Sequence, residues 1–285
     1  MKGDRRPIGV FDSGLGGLSV LSEIHRLLPS ENLLYVGDSA HAPYGDKSSE
    51  FVRNRTIEIA EFFIEQDVKA MVIACNTATV ETIHLLREII SIPIIGLEPA
   101  IKPACNISNS AVIGVLATQR TIDSKAFHSL IERYAVNTKV IPTACHGLVE
   151  QVESLQLNNK KTELLLTQYI QPLLTKGADT IILGCTHYPF LINEIRKIVG
   201  DKIEILETSK PVALQLKRLL EAHDVASKHS HKTGSSSKIT FYNSQTTNKM
   251  TTSMQKLWHL LMCKAEKTET EDKIIKAIEV LPLPR

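Results

Sequence analysis

Short apolar runs alternate with longer amphipathic runs along most of this chain, and this alternation limits the possible folds more than any other feature. In the first half, the runs typical of strands are 6–13, 32–39, 69–77 and 92–98, and the helical runs between them are 18–28, 48–66 and 79–90. Strands that alternate with helices of this length predict βαβ units and a mainly parallel sheet. The chain is therefore expected to be an α/β protein.

The same pattern begins again near residue 110. Its strands are predicted at 110–118, 138–145, 179–186 and 203–209, and its helices at 124–135, 161–175 and 190–200. Two landmarks match between the halves in the same order: IGVFDS at 8–13 with IGVLAT at 113–118, and VIACNT at 72–77 with ILGCTH at 182–187. An internal duplication of a unit of about 100 residues, an ordinary domain size, accounts for both matches.

This duplication predicts two pseudo-symmetric α/β domains with parallel sheets and an active site in the cleft between them. Residues 99–207 are expected to form the second domain. The first is expected to be discontinuous, combining residues 1–98 with residues 208–285. Beyond residue 210 the sequence predicts a helix at 212–223, a loop at 225–237, a strand at 238–244 and a helix at 254–263. This tail is expected to dock beside the first half.

Composition excludes several classes of protein. The chain has 285 residues, of which 43% are hydrophobic and 22% charged, so it has ample apolar surface for one large core or two smaller ones. Its formal net charge of +2 is too close to neutral to favour nucleic acid as a partner. No apolar run approaches the roughly 18 residues that span a bilayer. We therefore expect a soluble cytoplasmic protein with no nucleic-acid or membrane partner.

The cysteines are few, odd in number and widely spaced, with no C-x-x-C pair: Cys75, Cys105, Cys145, Cys185 and Cys263. A disulfide framework or a structural zinc site is therefore not expected, and we predict no metal ligands. Each cysteine is then either a small core residue or a reactive thiol. Cys105, Cys145 and Cys263 are interpreted as core residues.

Polar residues follow several of the predicted strands, at the sheet edge where ligands bind in parallel α/β proteins. They are Asp12-Ser13, Asp38-Ser39, Cys75-Asn76-Thr77, Cys185-Thr186-His187 and Thr118. In DSGLGGLS (12–19), the glycines free backbone N–H groups to approach a carboxylate or phosphate, with Asp12 as a functional group. A tight turn with a capping Asp or Ser explains this stretch equally well.

Cys75 and Cys185 are each expected at the carboxyl end of a strand, just before a helix whose N-terminus favours the thiolate. His187 lies two residues beyond Cys185, within reach for proton exchange. Two thiols at equivalent places in pseudo-symmetric halves would face each other across the cleft. This arrangement suits racemisation at a carbon beside a carboxylate, because one thiolate removes the proton and the opposite thiol returns one from the other side. A Cys–His nucleophile leaves Cys75 idle, and a redox dithiol leaves no room for substrate.

Four motifs, FDSGLGGLSV, YVGDSAHAPYG, IACNTATV and LGCTHYP, stand in the order and spacing of the glutamate racemase family, which the chain therefore resembles over roughly residues 7–210. The resemblance implies interconversion of L- and D-glutamate by two thiols without a cofactor. It also implies a role in supplying D-glutamate for the bacterial cell wall, and it is compatible with a homodimer.

The resemblance also implies roles for single residues of this sequence. Cys75 and Cys185 correspond to the two acid/base residues, with the first acting on D-glutamate and the second on L-glutamate. Asp12 and His187 correspond to residues that assist those thiols, and Glu150, in CHGLVE, to a further catalytic carboxylate. The substrate contacts implied are Asp12, Ser13, Tyr44, Gly45, Asn76, Thr77, Thr118, Thr121, Thr186 and His187.

Three other functions remain open from the sequence. The same fold and thiols would serve racemisation of aspartate or another acidic amino acid, and only the size of the pocket separates these substrates. A non-catalytic binding protein would use the cleft to hold an amino acid or a partner, but it would need neither cysteine. A dinucleotide-dependent oxidoreductase depends on the glycine turn at 14–19, which lacks the last glycine of the dinucleotide fingerprint.

Overall fold

The computed structural model describes residues 4–227, 237–263 and 279–283. Within these ranges the chain forms ten β-strands and eleven α-helices. The strands are β1 (Ile8–Asp12), β2 (Leu33–Gly37), β3 (Ala70–Ile73), β4 (Ile94–Gly96), β5 (Val112–Ala117), β6 (Lys139–Ala144), β7 (Thr180–Leu183), β8 (Glu204–Leu206), β9 (Ile239–Asn243) and β10 (Val280–Pro282). The helices are α1 (Leu18–Leu27), α2 (Ser49–Glu65), α3 (Asn76–Ile89), α4 (Ile101–Ile107), α5 (Gln119–Asp123), α6 (Lys125–Tyr134), α7 (Leu148–Glu153), α8 (Lys160–Thr175), α9 (Ile192–Val199), α10 (Ser209–Ala222) and α11 (Asn248–Cys263).

Two parallel sheets organise the molecule. The first has the strand order β10-β9-β2-β1-β3-β4 and the second has the order β6-β5-β7-β8. All the pairings between neighbouring strands are parallel. Their central strands are buried along their whole length, as expected when helices cover both faces of a parallel sheet. The expected two-sheet α/β fold is confirmed.

The internal duplication is visible in strand order and register. The series β2-β1-β3-β4 has the same order as β6-β5-β7-β8. Val10 of β1 pairs with Val72 of β3, and Val115 of β5 pairs with Ile182 of β7. These are the positions that the matched motifs align, so the two halves repeat one unit down to the register of their central strands.

Helices cover both faces of each sheet. On the first sheet, α1, α10 and α11 pack on one face, and α2 and α3 pack on the other. On the second sheet, α8 and α9 pack on one face, and α4 and α6 pack on the other. The apolar core beneath α1 and α10 continues into the core beneath α8 and α9. One continuous core therefore joins the two halves.

The tail adds to the first sheet. Leu33 of β2 pairs with Ile239 of β9, and Phe241 of β9 pairs with Val280 of β10. Trp258 of α11 is fully buried against Phe241. These contacts support the predicted division into residues 1–98 with 208–285 and residues 99–207, which stays a prediction.

Local boundaries differ from the predictions in a few places. The strands that precede the two cysteines end at Ile73 and Leu183, several residues earlier than the apolar runs suggest, since backbone pairing stops where the loops begin. Three short helices, α4, α5 and α7, were not predicted, and α11 begins at Asn248 rather than at residue 254. Most of the predicted loop at 225–237 lies outside the described residues. In the part of the chain that the structure describes, no helix is long and apolar enough to cross a membrane.

Candidate active site

The two cysteines occupy equivalent places at the carboxyl ends of the two sheets. Cys75 follows β3 and caps α3, where its Sγ accepts a hydrogen bond from Ala78 N at 3.4 Å. Cys185 follows β7 by two residues. Both side chains are buried, and the charge of Cys185 is close enough to raise the pKa of Cys75. The structure therefore brings the two predicted acid/base residues together.

The Cys75 thiol is held in its protonated form. Burial raises its pKa, and with the charges of Asp12 and Cys185 brings it to about 12, although the hydrogen bonds to Ser13 and from Ala78 N lower it. The Sγ atom lies 3.5 Å from Ser13 Oγ. At neutral pH this side chain is a proton donor until a substrate changes its surroundings.

The second thiol has a histidine beside it. His187 Nδ1 lies 3.7 Å from Cys185 Sγ, and His187 Nε2 lies 2.7 Å from Glu153 Oε1. Burial lowers the pKa of His187, but the hydrogen bonds and charges of Cys185 and Glu153 raise it more, so the net pKa is well above its usual value. The raised pKa favours the imidazolium form of the ring, which can donate a proton to the Cys185 sulfur when that is a thiolate.

Asp12 connects the two halves beside these thiols. Thr186 Oγ1, from the second half, donates to Asp12 Oδ1 at 3.0 Å, and Gly14 N donates to Asp12 Oδ2 at 3.0 Å. Complete burial raises the pKa of Asp12. The charge of His187 and the hydrogen bonds from the amides of Gly14 and Gly17 lower it by less, so the net pKa is above its usual value. The carboxyl is fixed between the Gly-rich turn and Thr186.

A set of polar groups without protein partners, or paired only with one another, lies next to Cys75. The side-chain Oδ1 and Nδ2 of Asn76 are buried and have no hydrogen-bond partner among the described residues. Thr77 Oγ1 lies 2.9 Å from Thr118 Oγ1, which lies 3.0 Å from Thr121 Oγ1. A buried amide without a partner costs free energy unless a ligand satisfies it, so this corner is suited to a polar substrate.

Asp38 fixes the turn that carries Tyr44 and Gly45 by a hydrogen bond from the Tyr44 side chain. Tyr44 Oη donates to Asp38 Oδ2 at 2.7 Å, and Arg55 binds both carboxylate oxygens at 2.9 and 3.0 Å. Burial raises the pKa of Asp38, but the hydrogen bonds with Arg55, Tyr44 and His41 lower it by more. The net pKa is below its usual value, so the group stays a carboxylate. Gly45 lies against Thr118, where a Cβ would come within 2.8 Å of the threonine Cβ.

Residues 8–213 match the family model for Asp/Glu/hydantoin racemases. The chain belongs to this family. It is accordingly an enzyme of the racemase class.

Known racemases resemble the chain over nearly its whole length. The glutamate racemase of Pseudomonas putida is 48% identical over 254 residues, which cover 89% of this chain and 94% of that protein. The crystal structure of glutamate racemase isoform RacE1 from Bacillus anthracis has a TM-score of 0.83 at 31% identity, covering 99% of this chain and 98% of that one. The glutamate racemase of Francisella tularensis, in complex with D-glutamate, has a TM-score of 0.80 at 29% identity, with coverage of 99% and 98%.

Glu150 lies outside the group of residues that the racemase brings together. Its side chain is exposed, whereas Glu153, one helical turn later on α7, reaches His187 and accepts a hydrogen bond from Leu15 N at 2.6 Å. Glu153 was not predicted from the sequence because α7 was not predicted, and without a helix the two glutamates cannot be assigned to faces. The available signal was the spacing of Val149 and Val152, which bury the side of α7 that packs on the core.

Among the described residues, no group of three or more His, Cys, Asp or Glu side chains is arranged to hold a metal ion.

Proposed function

We propose that this racemase interconverts L- and D-glutamate, with Cys75 and Cys185 acting on opposite faces of the substrate α-carbon. The observation that carries the proposal is the placement of two buried thiols at equivalent strand ends, next to the unpartnered amide of Asn76. The name of the Pseudomonas putida relative and the D-glutamate in the Francisella tularensis structure support glutamate as the substrate.

The protonated state of Cys75 gives this residue its role when L-glutamate is converted. Cys75 has a raised pKa and is a thiol at rest, so it gives its proton to the planar intermediate when L-glutamate is converted. Cys185, next to His187, takes the α-proton from L-glutamate in the same turnover. The reverse reaction exchanges these roles, so D-glutamate is deprotonated by Cys75.

Removal of the α-proton leaves negative charge that spreads onto the substrate carboxylate. Because this proton is far less acidic than a thiol, the enzyme must stabilise that charge. Asn76 and the hydroxyls of Thr77, Thr118 and Thr121 are preorganised donors for that charge. The thiols supply both proton transfers, so the proposed reaction needs no cofactor. Burial of the site excludes water that would otherwise deliver a proton to the wrong face.

The proposal includes a cellular role. D-Glutamate made by this reaction would enter peptidoglycan, so we place the enzyme in the cytoplasm, without a nucleic-acid or membrane partner. A homodimer is part of the same proposal. Light scattering on the purified enzyme measures its mass in solution, and a monomer mass would remove the dimer without affecting the chemistry.

Circular dichroism on the purified enzyme tests the substrate. With L-glutamate and no added cofactor, we expect the signal to decay to zero as the racemic mixture forms. With L-aspartate at the same concentration, we expect a rate lower by about 100-fold, because a side chain one methylene shorter leaves polar groups in the pocket unpaired. A stable L-glutamate signal, or faster loss of the L-aspartate signal, would overturn the proposal.

A further inference from the structure

An arginine from the second half reaches two residues of the first half beside the threonine cluster. Arg120 of α5 places Nη1 2.7 Å from Ser49 Oγ and 3.4 Å from Glu81 Oε1. Ser49 Oγ in turn lies 3.1 Å from the same Glu81 oxygen. Ser49 begins α2 and Glu81 lies on α3, so one guanidinium joins α5 to two helices of the other half.

This contact continues the threonine cluster outward by one layer. Glu81 follows Thr77 by four residues on α3, so the two side chains share a helix face. Arg120 stands between Thr118 and Thr121 in sequence. Along the seam between α3 and α5, the inner contact joins Thr77 to Thr118, and the outer contact joins Glu81 to Arg120.

The outer contact lies where the two halves separate. Ser49 and Glu81 line a groove of about 710 Å³ whose opposite wall is formed by residues 123–134 of the second half. The Arg120 and Glu81 side chains are 24% and 13% exposed. Partial burial makes this pair stronger than an ion pair in open solvent. Arg53, from the same half as Glu81, lies 3.7 Å from the other carboxylate oxygen and is 52% exposed.

We propose that Arg120 and Glu81 are positioning residues, forming a clamp that holds the two halves at the separation at which Thr77, Thr118 and Thr121 converge. Neither residue touches the reacting atoms. The clamp increases the fraction of molecules in the closed arrangement before substrate arrives. It rests on the proposed function in one respect, namely that the threonine hydroxyls bind the substrate carboxylate.

Kinetics of matched variants test the clamp. If Arg120→Ala lowers the closed fraction to about one fifth, the KM for both enantiomers rises about fivefold, while kcat stays within about twofold because saturating substrate restores closure. Arg53→Ala, which removes a cation from the same carboxylate without crossing the seam, should leave both constants unchanged. Arg120→Lys keeps the positive charge, so its KM should lie between those of the wild type and Arg120→Ala.

The partner residue gives a second kinetic check. Glu81→Gln should raise the KM as Arg120→Ala does, and the double variant should be no worse than either single one, because both remove the same contact. Additive effects, or equal effects of Arg53→Ala and Arg120→Ala, would overturn the clamp.

Thiol alkylation provides a readout that does not need racemase activity. Iodoacetamide labelling of Cys75 and Cys185, followed by peptide mass spectrometry, reports how often the cleft opens. Because the labelling rate follows the open fraction, we expect Arg120→Ala to raise both rates severalfold over wild type, and Arg53→Ala to leave them unchanged. Unchanged rates in Arg120→Ala would contradict the clamp even if the enzyme racemises glutamate. A wild type that does not racemise glutamate, with rates that rise as expected, would instead remove the proposed function and keep the clamp.

Discussion

Glu153 Oε1 lies 2.7 Å from Nε2 of His187, while the other ring nitrogen faces Cys185. The carboxylate therefore fixes the orientation of the ring and favours its charged form. Because Leu15 N donates to the same oxygen, α7 of the second half is also joined to the Gly-rich turn of the first half. The histidine beside Cys185 is thus oriented by a residue that is neither in the cysteine motif nor near it in sequence.

Replacing Glu153 should impair proton transfer at Cys185. We expect Glu153→Gln to lower kcat/KM by about 10- to 100-fold, which corresponds to the loss of one charge-assisted hydrogen bond. The matched control is Glu150→Gln on the same helix, where the exposed side chain should leave kcat/KM within about twofold. Steady-state kinetics on both variants show which glutamate supports proton transfer at Cys185. A larger loss of kcat/KM in Glu150→Gln than in Glu153→Gln would assign this role to Glu150.

The raised pKa of Cys75 predicts how stability depends on pH. In the unfolded chain the thiol ionises near 9.0, but in the folded enzyme only near 12, so the unfolded state loses this proton first. The folded state is therefore destabilised as the pH rises from 9 towards 12, and unaffected by this group below 9. Relative to Cys75→Ser, the wild type should lose about 1.4 kcal/mol of unfolding free energy between pH 8 and pH 10.

Urea unfolding of wild type and Cys75→Ser at the two pH values measures this difference. Serine can still accept the hydrogen bond from Ala78 N that caps α3, so the comparison isolates the thiol. Equal pH dependence in the two proteins would show that the folded state does not hold Cys75 protonated.

The threonine cluster predicts that loss of one hydroxyl group weakens substrate binding without changing the packing of the side chain. Thr121→Val keeps the shape of the side chain but removes the hydroxyl that lies 3.0 Å from Thr118 Oγ1. We expect the KM for L-glutamate to rise about 10-fold, since buried polar partners are left unpaired. Thr121→Ser keeps the hydroxyl and should stay within about threefold of wild type. Similar KM values for the valine and serine variants would exclude a role for this hydroxyl in binding.

Repetition made much of the fold predictable from sequence. The matched pairs IGVFDS with IGVLAT and VIACNT with ILGCTH correspond to strands that pair in the same register in the two sheets. The positions of Cys75 and Cys185 follow from this, because the end of a central parallel strand is a fixed place in the fold. A strong hydrophobic period and a repeated motif together leave few alternative folds.

The support around the thiols could not be predicted in the same way. Helix α7 has only six residues, too few for a helical period to stand out, yet it carries Glu153. The Arg120–Glu81 contact joins residues 39 positions apart on helices of different halves, and the local sequence of neither residue indicates the other. Such contacts depend on how the two sheets are placed, which the pattern within one half does not determine.

Hydrogen exchange during turnover tests the central claim, that two thiols act on opposite faces of one carbon. The enzyme is incubated with L-glutamate in D₂O, and both enantiomers are separated at low conversion and analysed by mass spectrometry. We predict deuterium at the α-carbon of nearly all the D-glutamate, delivered by Cys75, while the remaining L-glutamate keeps its protium because Cys185 returns the proton that it removed. Deuterium appearing equally in both enantiomers from the earliest times, or protium retained in the D-glutamate, would contradict the two-thiol account.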